Sequence, residues 1–172
     1  MNDEKIKNMI YTSLLAALIC VATFTIKVPS VVTNGYVHLG DGFIFIAVIL
    51  LGSKNGAWAG SIGASLADLL GGYSHYAIPT FIIKGIMVLI MGYIIKKIPG
   101  NSRFKWVAGA LVGSVWQIIS YYVVGSVMVG SFISTIMDIP GNIIQSIFGI
   151  IVAIIFVAAF KKTSIGHKII NE

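Results

Sequence analysis

The sequence predicts an all-α integral membrane protein with six transmembrane helices, a short second segment and a lid-like first outer loop. Of its 172 residues, 57% are hydrophobic and only 10% are charged, whereas a soluble domain carries about 25% charged residues. Long apolar runs alternate with short polar breaks, and most basic residues fall in those breaks. A soluble chain of roughly this size buries only about 70% of the surface that its unfolded form exposes, so this composition excludes an ordinary soluble enzyme.

We expect a single membrane domain over residues 1–172, with a lid loop at 27–41 and a cytoplasmic tail at 161–172. Six apolar segments predict the helices. They cover residues 8–26, 43–51, 57–70, 78–95, 106–124 and 143–160. A helix needs about 20 apolar residues to cross the hydrocarbon layer. The second segment is shorter than that, so it either borrows residues from the preceding loop or is partly re-entrant.

An alternative joins residues 43–70 into one helix and leaves five spans. The basic residues favour six spans, because that arrangement places nearly all of them on one side of the membrane. The residues on that side are Lys5, Lys7, Lys54, Lys96, Lys97, Arg103, Lys105, Lys161, Lys162 and Lys168. The positive-inside bias then places both termini in the cytoplasm.

Two charged residues are predicted to lie within the membrane, toward the outer ends of their helices. Asp68 lies near the outer end of the third segment, and Lys84 lies in the outer third of the fourth. Each costs at least about 2.5–3.5 kcal/mol at membrane depth, so each needs a partner or a water-filled cavity. We predict that Asp68 and Lys84 pair and orient a ligand; a purely structural pair is the alternative.

Amide and aromatic side chains are expected at the same depth. The fifth segment contributes Trp116, Gln117 and Tyr121, and the sixth contributes Asn142 and Gln145. Aromatic faces can stack on a heterocycle and amides can hydrogen-bond it, which predicts a concave site that opens outward. The alternatives are an interfacial aromatic belt, which we favour for Tyr73 and Tyr76, and interhelical hydrogen bonds for the amides.

The last helix and the first loop complete the predicted site. Pro140 is suited to the first turn of a helix, and Asp138 is a candidate cap. The free N–H groups at this helix start would favour an electronegative ligand group. Asn34, Tyr36 and His38 in the first loop are expected to fold over the cavity.

No sequence motif indicates catalysis, ATP hydrolysis or a metal centre. A Walker motif is absent, and the three histidines flank no cysteine or carboxylate at ligand spacing. We therefore expect no catalytic residues, no metal and no cofactor in this chain. The formal charge of +6 indicates helix orientation and contact with lipid headgroups, and no nucleic-acid partner is expected.

Three segments of the chain resemble a known family. They read YVHLGDGFIFIAVILLG, GAWAGSIGASLADLLGGY and PGNIIQSIFG. Together with the six-helix pattern and the lid-like loop, they resemble the substrate-binding S component of an energy-coupling factor (ECF) transporter. The resemblance is strongest to the branch that includes riboflavin, pyridoxine and hydroxymethylpyrimidine binders.

The resemblance implies high-affinity capture of a small B-vitamin or precursor outside a bacterial cell. Delivery would require a T component and two ATPase chains, which use the ATP of this ABC-type transporter. Pyridoxine or hydroxymethylpyrimidine is favoured, and riboflavin is a third candidate. The implied binding residues are Asn34, Tyr36, Asp68, Lys84, Trp116, Gln117, Tyr121, Asn142 and Gln145.

Small residues at four-residue spacing predict close helix contacts. Gly56 and Gly60, and likewise Gly109 and Gly113, are expected to pack within the chain. The family's first helix carries an Ala-x-x-x-Ala pattern that docks on the T component. The resemblance therefore implies docking by the small residues of the first helix, with serine in place of one alanine. These are Ser13, Ala16, Ala17 and Cys20.

Other functions make different demands on the sequence. The main alternative, a self-sufficient secondary transporter of a small polar solute, would need a midplane site and preferably an inverted repeat. The sequence shows no such repeat. A membrane enzyme would have only His38 and Asp41 as a candidate pair, and a structural subunit would bind no ligand.

Overall fold

The structure, a computed structural model, describes residues 3–30, 33–99 and 104–163. This part of the chain is helical apart from one short hairpin. In chain order its elements are α1 (Asp3–Thr25), β1 (Lys27–Pro29), β2 (Tyr36–His38), α2 (Asp41–Leu70), α3 (Ser74–Lys97), α4 (Lys105–Val129), α5 (Phe132–Thr135), a 3₁₀ turn (Ile136–Asp138) and α6 (Ile139–Phe160).

Five described stretches are long and apolar enough to cross a membrane. Four are α1, α2, α3 and α4, and the fifth is Phe132–Phe160, which ends in α6. Large apolar side chains remain exposed on all of them, including Leu14, Leu70 and Ile155, as expected where the surrounding solvent is lipid. The chain is therefore a multi-pass membrane protein. The predicted count of six is not confirmed, because residues 43–70 lie within α2.

Helix α2 is interrupted at Gly52, whose φ of 74° and ψ of 174° lie outside the helical region. Glycine adopts this conformation without the steric cost that a Cβ would bring. The two arms fold back on each other: a Cβ on Gly56 would lie 3.0 Å from Val48 Cα, and one on Gly60 would lie 3.0 Å from Ile44 Cγ2. The chain thus reverses at Gly52, and the two ends of α2 lie at the same end of the molecule.

Consecutive helices pack against one another, and α6 returns to α2 and α4. The predicted stripes of small residues lie at these contacts. A Cβ on Gly109 would lie 2.7 Å from Met91 O, and one on Gly113 would lie 2.9 Å from Met87 O. Backbones can approach this closely only where side chains are absent or small. The fully buried Met87 and Met91 belong to the apolar core of the bundle.

The loop predicted at 27–41 contains a two-stranded antiparallel hairpin. Lys27 pairs with His38, and Pro29 pairs with Tyr36. Asn34 adopts a positive φ of 52° between the strands, a conformation that asparagine tolerates better than most residues. Residues 31–32 of this loop, and residues 164–172 of the predicted tail, lie outside the described part of the chain.

Candidate functional site

The β hairpin and the adjoining helix ends enclose a partly open cavity of about 210 Å³. Its walls combine apolar, aromatic and polar groups from distant parts of the sequence. The lining residues are Val28, Pro29, Ser30, Thr33, Gly35, Tyr36, Val37, His38, Asp68, Tyr76, Thr80, Tyr121, Met137, Asp138, Gly141, Asn142 and Gln145.

Asp68 forms a buried acidic part of the cavity wall. Its Oδ1 accepts a hydrogen bond of 2.6 Å from the hydroxyl of Tyr36. Its Oδ2 is also buried and completes no hydrogen bond within the described residues, although Thr80 is a close neighbour. Burial and the Asp68 carboxylate raise the pKa of Tyr36 far above its usual value, so its hydroxyl remains a donor at physiological pH.

Lys84 pairs with Asp41, and the predicted pairing with Asp68 is wrong. Lys84 Nζ lies 2.5 Å from Asp41 Oδ1, and both side chains are fully buried. Lys84 also donates to the side-chain oxygen of Gln117. The predicted loop 27–41 ends at Asp41, which was not considered as a partner of Lys84. Instead α2 begins at Asp41, and its carboxylate is enclosed at the depth of Lys84.

Gln145 connects this ion pair to the hairpin. Its Nε2 donates to Asp41 Oδ2 at 2.9 Å, and its Oε1 accepts from the backbone N–H of His38 at 2.9 Å. Gln145 also lines the cavity. The sequence predicts two alternative roles for Gln145, a cavity residue and an interhelical hydrogen-bonding residue. Its position is compatible with both.

His38 is buried in the uncharged form beside the same network. Its Nδ1 accepts a hydrogen bond of 3.0 Å from the backbone N–H of Gly40. Burial lowers the pKa of His38 to about 4, although the nearby Asp41 favours the charged form. The side chain therefore adds no positive charge to the cavity at neutral pH.

The structure divides the predicted binding residues into two groups, and ligand contact stays a prediction for all nine. Those that line the cavity are Tyr36, Asp68, Tyr121, Asn142 and Gln145. Those that do not are Asn34, Lys84, Trp116 and Gln117. In the second group, Trp116 donates to Ile83 O at 3.2 Å, and Gln117 Nε2 donates to Ser146 Oγ at 3.4 Å. Both side chains therefore connect helices.

Sequence reasoning missed Tyr76, Thr80 and Asp138 as cavity residues. Tyr76 was assigned to the interfacial belt, but its ring is buried and its hydroxyl donates to Thr33 O at 3.3 Å. A spacing of four residues could have located them, because Tyr76 and Thr80 share one helix face, as Asp138 and Asn142 do.

Asp138 does not cap α6 with its side chain, in contrast to the prediction. Its Oδ1 instead accepts a hydrogen bond of 2.5 Å from Ser30 Oγ. The N–H of Ile139 donates to Ile136 O, so α6 continues directly from the 3₁₀ turn. The N–H of Ile139 is therefore engaged, and the Asp138 carboxylate lines the cavity at the start of this helix. A carboxylate at this position disfavours an electronegative ligand group, and the predicted site for such a group stays a prediction.

The small residues of α1 point in two directions. Ala16 and Cys20 are buried within the chain. Helix α2 packs closely on this side of α1, since a Cβ on Gly63 would lie 2.8 Å from Ile19 Cβ. Ser13 and Ala17 are exposed. Of the four residues predicted to dock on a partner, only these two are accessible on the described surface of α1.

The fold and the cavity together define a multi-pass helical membrane protein with an internal site of small-molecule size. The chain belongs to the family of ECF-type riboflavin transporter S components, whose family model matches residues 3–162. This confirms the resemblance inferred from the sequence. The family is one of transporter components, not of enzymes.

Two relatives illustrate this membership. The chain is 30% identical over 167 residues to the thiamine precursor transporter HmpT of Lactococcus lactis subsp. cremoris (strain MG1363), an alignment that covers 96% of this chain and 94% of that protein. It is 29% identical over 134 residues to an uncharacterised protein of Pyrococcus woesei, with 78% of this chain and 88% of that protein covered.

Proposed function

We propose that this chain is the substrate-capture subunit of an ECF transporter for a single-ring B-vitamin or vitamin precursor. The cavity is the observation that carries the proposal. Its volume of about 210 Å³ lies below the range of about 300–1,000 Å³ that is typical of sites for drug-sized ligands. Hydroxymethylpyrimidine or pyridoxine therefore suits it better than the three-ring riboflavin. The similarity to HmpT supports a thiamine precursor.

The cavity chemistry also suits such a ring. Tyr36, Tyr76 and Tyr121 contribute aromatic faces, and Asn142 and Gln145 contribute amides. Aromatic rings favour offset or edge-on packing with other rings, and a few polar groups suffice to orient a ligand in a mainly apolar pocket. The hairpin that supplies one wall would act as the lid over the bound ring.

The proposed orientation has six membrane segments, both termini in the cytoplasm and the cavity facing outward. The reversal of α2 at Gly52 supports it, because the two arms correspond to the second and third predicted segments. The helix polarity places Lys54, Lys97 and Lys105 at the end of the bundle opposite the cavity. Basic loops are typical of the cytoplasmic side.

The apolar floor of the cavity explains why transport would require partners. Beneath the Asp41–Lys84 pair, the core contains buried apolar side chains such as Phe45, Met87 and Met91. A polar ligand has no hydrogen-bonding path through such a floor. The T component and two ATPase chains that characterise ECF transporters would move the ligand. A self-sufficient secondary transporter would need a continuous path past these residues.

Binding and uptake by the full chain test this proposal. The protein is purified in detergent, and co-purifying small molecules are identified by mass spectrometry. Calorimetry then measures the binding of hydroxymethylpyrimidine, pyridoxine and riboflavin. We expect tight binding of a single-ring compound and no uptake into liposomes that contain this chain alone. Failure of a folded preparation to bind any of the three, or uptake by the chain alone, would overturn the proposal.

A further inference from the structure

The cavity wall carries acidic groups and lacks a basic one among the described residues. Asp68 and Asp138 line it, whereas lysine and arginine do not. His38 is a lining residue, but its Nδ1 accepts a hydrogen bond from the backbone N–H of Gly40, as expected of a neutral ring. Lys84 lies behind the wall, fully buried and paired with Asp41. An anionic ligand would therefore meet two carboxylates in the wall, while the Lys27 ammonium lies outside it, 5.6 Å from the centroid of the Tyr36 ring.

Each of the two carboxylates retains a buried oxygen that completes no hydrogen bond within the described residues, although the Thr80 side chain lies close to Asp68. These atoms are Asp68 Oδ2 and Asp138 Oδ2. The other oxygen of each group is already engaged, by Tyr36 in one case and by Ser30 in the other. Asp68 is only 4% exposed. Both residues line the cavity, and a buried acceptor is unfavourable unless it is hydrogen-bonded, so each carboxylate has the capacity to accept a further donor.

We propose that Asp68 and Asp138 determine which ring the cavity accepts, an inference that rests on the proposed function. The ligand is a heteroaromatic ring that carries N–H donors, such as an amino group beside a ring nitrogen, and that has no phosphate or carboxylate. The free carboxylate oxygens accept these N–H groups, while the tyrosine rings pack against the heterocycle. A phosphate monoester would place further negative charge beside two carboxylates in a poorly screened site.

Three probes of similar ring size test the inference on the detergent-solubilised full chain. They are the amino-substituted hydroxymethylpyrimidine, its phosphate monoester, and pyridoxine, which lacks the amino group. Calorimetry should show that the amino compound binds at least about tenfold tighter than pyridoxine, the difference expected for hydrogen bonds to a charged acceptor. The phosphate monoester should bind more weakly still.

Amide variants test whether the two carboxylates cause the preference for the amino compound. Asp68→Asn and Asp138→Asn each replace an acceptor with a group that can also donate, and each should weaken binding of the amino compound by about tenfold or more. Each should also narrow the gap between this compound and its phosphate, which a purely structural role would not change. Asp3→Asn, in the exposed first turn of α1, is the matched control. It should change neither the affinity for the amino compound nor the gap between this compound and its phosphate.

The outcomes separate this inference from the proposed function. If wild-type protein binds pyridoxine or the phosphate monoester as tightly as the amino compound, or if folded variants keep the wild-type selectivity, the inference is wrong and the proposed function stands. If neither these probes nor riboflavin bind to folded wild-type protein, both the inference and the proposed function are wrong. If Asp68→Asn does not fold, the inference is still tested by Asp138→Asn, at a half-buried position, and by the comparison of the three probes on wild-type protein.

Discussion

Lys84 Nζ and Asp41 Oδ1 lie 2.5 Å apart in a fully buried ion pair that joins the middle of α3 to the first residue of α2. Gln145 donates to the second oxygen of Asp41 at 2.9 Å, and Gln117 accepts from Lys84. Four helices therefore meet at one compensated pair of charges. Such a pair holds the helices in one arrangement, because the removal of either charge leaves the other uncompensated in the interior.

Lys84→Met should destabilise the protein strongly. It leaves the Asp41 carboxylate buried without its cation, a change that typically costs about 3–5 kcal/mol. Thermal unfolding of the detergent-solubilised protein measures the effect. The double variant Asp41→Asn/Lys84→Met removes both charges, so its loss of stability should be smaller than the sum of the two single losses. Strict additivity would show that the two side chains do not interact.

Gln145→Leu should loosen the hairpin as well as weaken the bundle. The variant removes the hydrogen bond to Asp41 and the one from the backbone N–H of His38, and hydrogen bonds to charged groups contribute about 1.5–3 kcal/mol. Hydrogen exchange should become faster in the segment around His38. Gln117→Leu is the comparison, because Gln117 contacts Lys84 and Ser146 and has no such bond to the hairpin. Equal exchange rates around His38 in the two variants would contradict this prediction.

His38 should make the protein less stable in mild acid. The unfolded chain binds a proton on this side chain below pH about 6.5, whereas the folded state does so only below about 4. Between these values the unfolded state holds more protons, so stability falls as the pH is lowered and is unaffected above about 6.5. The full loss is about 3 kcal/mol.

Two histidine variants isolate this effect from the titration of other groups. His38→Gln retains an acceptor for the Gly40 N–H but cannot be protonated, so its melting temperature should vary less between pH 7 and pH 4.5 than that of wild type. His75→Gln, at an exposed position, should retain the full dependence. The same pH profile in both variants would show that another group is responsible.

The helices were predictable because each is a long apolar run that ends in polar or glycine-rich sequence. The predicted segment 78–95 lies inside α3 (Ser74–Lys97), and the predicted segment 106–124 lies inside α4 (Lys105–Val129). The reversal at Gly52 was also visible, because a glycine opens the polar stretch GSKNG. Local composition determines these features, so a single sequence reveals them.

The charged pair could not be predicted in the same way. Whether Asp41 faces water or Lys84 depends on how the hairpin seats the start of α2 against α6, where a Cβ on Gly149 would lie 2.9 Å from Asp41 Cβ. This contact joins residues more than a hundred positions apart. Asp138 is a similar case, since the local rule predicts a cap and the distant Ser30 engages its carboxylate instead.

The exposed part of α1 provides the last prediction, which concerns the partner. Ala17→Leu enlarges a small exposed residue on α1 without entering the buried contact made by Ala16 and Cys20. If this face docks closely on a T component, the added bulk should reduce the recovery of T component in co-purification several-fold, because close helix approach requires small residues. Ligand affinity of the isolated chain should not change. Leu14→Phe, a swap between large residues at a position that is 65% exposed, is the control and should retain the partner. Undiminished recovery with Ala17→Leu would place the docking surface elsewhere on the bundle.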